Sequence, residues 1–408
     1  MRILHVNKFL YRRGGAEGYM FDLAALQAAR GDDVTFFGMS HPDNEAQRHE
    51  HVFPSEVTFE PMPDGLVAKV SGFGRMLWST SSRRGIATLL RRERPDVAHL
   101  HNVYHQLSPS ILGPLAAAGV PIVMTLHDYK LACPTYQFLD KGVVCEACIG
   151  GRFHNAARRR CKGGSLVASS AAAIELTLHT ALRAYGHVSR FVCPSRFLAA
   201  KMDEAGVFPD RLRHLPHFID VASYPQKQTP GGRIAFAGRL SAEKGIDVLV
   251  DAVGRLDGVG LDIAGDGPER VALEQRAQTV ARGRVTFHGR LAKDELHDLV
   301  RASVVTAVPS RWYENQPMAV LESFGCGVPV VGTTLGGLPE LIDDGATGCL
   351  VPPNDVEATA VALGALSRAP ERAFAMGRAA RAFVESEFTP ERHLEGLDAI
   401  YAEAGANP

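Results

Sequence analysis

Short apolar runs alternate with helical or glycine-bearing segments along this chain, in two separate series. In the first, the runs at 3–7, 34–38, 97–101, 122–126 and 191–193 are each followed by such a segment. Parallel neighbours need a crossover connection, and the crossover helix covers the sheet it returns to, so alternation of this kind predicts a parallel sheet covered on both faces. The clearest crossover is GGAEGYMFDLAALQAARG, which carries apolar residues at helical spacing and ends at Gly31, a residue suited to the C′ position. A second series starts at Arg233 and repeats the scheme through 261–264, 285–287, 304–308 and 328–331. The fold class is therefore α/β, with two Rossmann-like halves.

Residues 217–232 hold Pro225, Gln226, Gln228 and Pro230 without periodicity and read as a hinge. The expected organisation is an N-terminal domain over 1–216, the hinge, a C-terminal domain over 233–388 and a terminal segment over 389–408. In that segment Thr389 caps and Pro390 starts a helix whose Leu394, Leu397, Ile400 and Tyr401 form one stripe. At 408 residues, 46% hydrophobic and 22% charged, the chain supplies two cores of ordinary size. No apolar stretch approaches a membrane span, and MRILHVNKF reads as a first strand, so a cytoplasmic protein is expected.

Net charge is −1, yet residues 1–210 hold 24 Lys and Arg against 19 Asp and Glu, and the remainder 20 against 26. The basic excess gathers at 91–95 and 157–162, with Phe73, Met76, Leu77 and Trp78 nearby. It reads either as a solvated face or as a peripheral contact for anionic headgroups or an anionic acceptor. A nucleic-acid partner would demand a more basic chain overall.

The chemistry concentrates at 310–337. Glu314 precedes a predicted helix opened by Pro317 and Met318, and Glu322 lies about one and a half turns inside it. Both carboxylates can face a ligand held at the helix start, where the amides of Asn315, Gln316, Pro317's neighbour Met318 and the helix dipole suit a diphosphate. Glu322 would then accept from ribose hydroxyls and Glu314 from sugar hydroxyls, although two solvated glutamates at this spacing are the alternative. Upstream, an apolar run ends in Gly238 and Arg239, and a helix is expected to begin near Lys244. A cation at a strand end and another on the next helix clamp a diphosphate without a metal.

Together, GRLSAEKG at 238–245, AGDGPE at 264–269, VTFHG at 285–289, the Glu314 and Glu322 pair and GGLPE at 336–340 resemble glycosyltransferase family 4. The resemblance covers nearly the whole chain. It implies a GT-B architecture, with two Rossmann-like domains facing across a cleft and the last helices packing back on the N-terminal domain. It also implies a retaining transfer from a nucleoside diphosphate sugar, UDP ahead of GDP, to an acceptor hydroxyl, in polysaccharide, glycolipid or related synthesis. The implied mechanism is front-face and needs no metal: the leaving diphosphate takes the acceptor proton while Arg239 and Lys244 counter its charge. Backbone groups near Gly265 and Arg290 would meet the base. In the N-terminal half, Gly14 and Gly15 offer unshielded amides after the first strand. His127, in the family's place for a histidine beside the transferred sugar, would contact that sugar, with Asn102 and His105 as other strand-end candidates. Asn315 and Gln316 depart from the glycine and apolar residue common there. Competing readings are a nucleotide-sugar epimerase on the same scaffold and a catalytically silent binding module.

Cys133, Cys145, Cys148 and Cys161 lie in an insertion, 133–164, whose residues 140–164 lack a hydrophobic pattern. They read as a structural zinc site, with His154 able to replace one thiolate, or else as unpaired thiols or a redox pair. Cys193, Cys326 and Cys349 read as small core residues.

Overall fold

The computed structural model describes residues 1–57 and 66–406. The chain divides into two compact units, one of Met1–Phe138, Glu146–Leu215 and Leu394–Pro408, the other of Leu139–Cys145 and Pro216–His393.

The N-terminal unit is built on strands β1 (Arg2–Val6), β2 (Asp33–Phe37), β3 (Val97–Leu100) and β4 (Ile122–Thr125). The hairpin strands β5 (Leu139–Asp140) and β6 (Val143–Val144) follow in the chain, and β7 (Arg190–Cys193) and β8 (Leu212–His214) complete the sheet. Its order is β2-β1-β3-β4-β7-β8, parallel throughout. β3 and β4 are buried along their whole length, as strands covered on both faces must be. The predicted crossover is the helix Gly15–Ala29, and Gly31 ends it at φ 102°, a conformation glycine takes without strain. The last helix, Pro390–Ala404, joins this unit from Leu394 onward, with Leu397, Ile400 and Tyr401 buried.

The C-terminal unit holds β9 (Arg233–Ala237), β10 (Leu261–Ala264), β11 (Val285–Gly289), β12 (Ser303–Val308), β13 (Val330–Thr333) and β14 (Gly348–Val351). Their order, β11-β10-β9-β12-β13-β14, is again wholly parallel. One apolar cluster gathers Ile234, Leu249, Val253 and Leu363, and a second gathers Val308, Leu321, Phe324 and Val384. Among the described residues no helix is long and apolar enough to cross a membrane.

The structure adds detail to three of these stretches. The helix after β9 begins at Ile246, and Lys244 ends a short 3-10 turn, because Gly245 breaks the path at φ 66°. Within 217–232, Ile219 and Tyr224 enter the second cluster, and the Ile219 N–H donates to the Phe388 carbonyl at 2.8 Å. The cysteine-bearing segment is divided, since residues 139–145, including Cys145, group with the C-terminal unit.

Candidate active site

In an open parallel sheet, ligands bind beyond the carboxyl ends of the strands where the order reverses. In the C-terminal unit that point lies between β9 and β12. β9 runs out into Gly238 and Arg239, and β12 into Ser310. Lys244 and Glu314, seventy positions apart, meet here: Nζ lies 2.7 Å from Oε1, and Ser310 Oγ donates to the same oxygen at 2.5 Å. Burial alone would raise the Glu314 carboxyl, but the Lys244 charge and these hydrogen bonds outweigh it and hold the group below its ordinary value. Glu314 is therefore an anion at neutral pH. The Lys244 ammonium also stands 5.4 Å from the Trp312 ring centroid.

Glycines supply the close approaches. A Cβ on Gly245 would sit 2.2 Å from the Pro309 carbonyl oxygen, so only glycine lets the Lys244 turn reach the end of β12. A Cβ on Gly336, at φ 63°, would sit 2.2 Å from the Glu314 carbonyl, which accepts the Gly337 N–H at 2.8 Å. The GGLPE motif thus fixes the backbone that carries Glu314. Gly265 and Gly267 lie against the loop after β9, where added Cβ atoms would be 1.9 Å from the Gly238 oxygen and 2.3 Å from the Leu240 oxygen. Arg239, on that loop, is exposed. Arg290 follows β11 and is also exposed, close to Gly265 through the Gly265 N–H bond to the Gly289 carbonyl.

The helix Met318–Gly325 starts just after Pro317. Glu322 is half-buried on it and lines a cleft with Ala237, His297, Thr306 and Ala319. Asn315 is half-buried beside Glu314, whereas the Gln316 carbonyl accepts the His217 N–H at 2.6 Å and so faces the 217–232 stretch.

In the N-terminal unit, Gly14 and Gly15 are exposed at the start of their helix, with the buried Glu17 in its first turn. His127 follows β4, and burial drives its ring down to about 3, so it is neutral at pH 7. His105 Nδ1 donates to Glu175 Oε1 at 3.0 Å, and Lys130 Nζ lies 2.7 Å from Glu175 Oε2. Burial opposes the charge on Glu175, yet Lys130 and His105 pull it down to about 2. This buried ion pair ties the HDYK segment to the alanine-rich helix. Sequence reasoning missed it, because nothing marks Glu175 among its apolar neighbours.

Cys133 Sγ lies 3.4 Å from Thr135 Oγ1, and Cys148 and Cys161 join one small apolar cluster around Phe153 and Leu176. Among the described residues, the group of three potential ligands that converges within 4.8 Å is His5, His99 and His101. Burial raises the Cys193 and Cys326 thiols to about 12, as suits inert core residues.

Residues 13–223 match the model of Glycosyltransferase Family 4, and residues 231–368 that of Glycosyl transferases group 1. A D-inositol 3-phosphate glycosyltransferase of Mycobacterium avium is 36% identical over 179 residues, 42% of this chain and 42% of that protein. The chain thus spans about two fifths of that relative's length. A 2-deoxystreptamine N-acetyl-D-glucosaminyltransferase of Streptomyces fradiae is 27% identical over 368 residues, 86% of this chain and 82% of that protein. The crystal structure of Anabaena HepE in complex with UDP and glucose shares the fold, with a TM-score of 0.69 at 19% identity, covering 98% of this chain and 99% of that one.

Proposed function

Because the chain belongs to glycosyltransferase family 4 and has its GT-B fold, we propose that it moves a sugar from a nucleoside diphosphate donor, UDP ahead of GDP, to an acceptor hydroxyl with retention of configuration and without a catalytic metal. The observation that carries this reading is the meeting of Lys244 with the ionised Glu314 at the switch point of the C-terminal sheet, beside the exposed Arg239. A site that places two cations by a helix start suits a diphosphate whose charge grows as the glycosidic bond breaks. Interactions that strengthen with that charge lower the barrier rather than merely binding the donor. The leaving phosphate oxygen takes the acceptor's proton as the new bond forms on the same face. Glu322, half-buried on the helix after Pro317, is suited to the ribose, and Glu314 to the sugar. His127 belongs to this reading as a neutral sugar contact. The names of the relatives favour a small polyol, aminocyclitol or glycan acceptor.

Purified protein incubated with UDP- and GDP-sugars, with and without a chelator, tests the reading. Slow donor hydrolysis that survives chelation, and an α-linked product from an α-linked donor, are expected. Epimerised sugar without transfer would favour the epimerase, and no turnover of any donor would favour a silent binding module.

A further inference from the structure

A continuous chain of hydrogen-bonded rings crosses the N-terminal unit beneath His127. His5 lies on β1, His99 lies beside it on β3, and His101 follows two positions later, just past the end of β3, on the same side. All three are fully buried. His127 Nε2 lies 3.1 Å from His101 Nδ1, and His101 Nε2 lies 3.1 Å from His5 Nδ1. His5 Nε2 lies 2.7 Å from Gln27 Oε1, and the Gln27 amide nitrogen lies 3.3 Å from the Tyr401 hydroxyl. That hydroxyl lies 2.8 Å from His99 Nδ1, and His99 Nε2 lies 2.7 Å from Thr125 Oγ1.

A trio of converging imidazoles suggests a metal site, but here both nitrogens of each ring are already occupied by these contacts. The rings are instead links in a relay. An imidazolium with no carboxylate among these partners would be costly to bury, so each ring is neutral and carries one N–H. Burial lowers His5 to about 4 and His127 to about 3, in agreement. Under that constraint, fixing one proton fixes the next.

Gln27 fixes the first. The ring-to-ring N···N separations are both 3.1 Å, whereas Gln27 stands 2.7 Å from His5, a distance that suits an oxygen acceptor. His5 must then donate from Nε2, which leaves its Nδ1 as the acceptor for His101 Nε2–H. His101 Nδ1 in turn accepts, and His127 donates from Nε2. We propose that Gln27 sets the tautomer of His127 through His5 and His101, so that His127 holds its proton on Nε2, toward His101. His5, His101 and Gln27 are positioning residues, and Tyr401 on the last helix holds the Gln27 amide the right way round. The relay rests on the functional reading only in taking turnover of a sugar donor as one of its readouts.

Long-range ¹H–¹⁵N correlation spectra of the full-length protein labelled at histidine report each tautomer directly, without any sugar nucleotide. In the wild type, His5, His101 and His127 are expected as Nε2–H tautomers. Gln27→Met keeps the volume and removes the acceptor. A buried N–H without a partner is less tolerable than a bare ring nitrogen, so His5 should shift its proton to Nδ1 and reverse both links. His127 should then appear as the Nδ1–H tautomer, and kcat with a UDP-sugar should fall roughly tenfold with KM for the donor nearly unchanged, the signature of a misplaced proton rather than lost binding. A wild-type His127 protonated on Nδ1, or an unchanged His127 in Gln27→Met, overturns the proposal. So does uptake of one Co²⁺ by the wild type with paramagnetic shifts confined to His5, His99 and His101. If the variant does not fold, the wild-type spectrum alone decides. A protein that turns over no donor would fail the functional reading and leave the tautomer result standing.

Discussion

Replacing Lys244 with alanine probes the ion pair at the centre of the candidate site. The pair is separated by 2.7 Å, with the Glu314 side chain 6% and the Lys244 side chain 25% exposed. Removing one member of a fully buried pair costs about 3–5 kcal/mol, because the charge left behind has no counterion. Solvent reaches the lysine end, and Ser310 still donates to Glu314, so the loss should be about 2 kcal/mol. In a unit of this size each kcal/mol lowers the midpoint by roughly 2–4 °C, which predicts a fall of about 4–8 °C for the C-terminal unit. The pH dependence follows from the sign of the shift. The folded value of Glu314 is depressed, so the pair's contribution is complete above the ordinary glutamate value of about 4.3 and is lost as the pH falls through the lower folded value. Thermal unfolding of the wild type, Lys244→Ala, Glu314→Gln and the double variant, at neutral and acid pH, measures this. Lys244→Ala should be the less stable single variant at pH 7, and the double variant should recover part of the loss, since neutralising Glu314 removes the stranded charge. A Lys244→Ala midpoint equal to that of the wild type at pH 7, or a gap that widens in acid, would refute the reasoning.

On the proposed reading, Arg239→Ala should lower kcat/KM by roughly a hundredfold, and because the side chain is exposed the melting temperature should stay unchanged; a loss of stability equal to that of Lys244→Ala would count against the assignment. Glu322→Gln should weaken binding of free UDP in calorimetry, whereas Glu314→Gln should spare it and impair transfer, and equal effects on free UDP would mean that the two roles are misassigned. Zinc held by Cys133, Cys145, Cys148 and Cys161 should appear as about one metal per chain in protein purified under reducing conditions, and chelation should loosen the local structure without ending donor hydrolysis; absence of metal in such protein would leave these cysteines as packing or redox residues.

The two sheets were legible chiefly because central strands such as β4, β12 and β13 are buried on both faces, which marks them even at four residues. β8 and β14 were not: Leu212–His214 offers one apolar side chain in three residues, and Gly348–Val351 opens on a glycine. Glu314 and Lys244 were each legible from the motif around them, but their contact was not, since only the β9 and β12 adjacency brings together residues seventy positions apart. Gln316 was assigned to the ligand from spacing alone, and its partner at His217 depends on how the 217–232 stretch packs. The histidine relay left a faint trace, the HLH run at 99–101 that closes β3 beside the His5 of β1. Polar rings at alternate positions of a run otherwise buried must satisfy one another, and that demand could have been read as a signal.

Gly245, Gly265, Gly267 and Gly336 each meet neighbouring backbone where a single added carbon would collide. Such positions offer natural selection nothing to vary. On the proposed reading, a change of nucleotide would fall to side chains near these loops rather than to the glycines, the exposed Arg290 and half-buried Asn315 foremost. A library designed to alter donor choice should diversify those two and leave the glycines alone, and the same immobility means that a new donor will be fitted by trimming the ligand's surroundings rather than by re-shaping the loop beneath it.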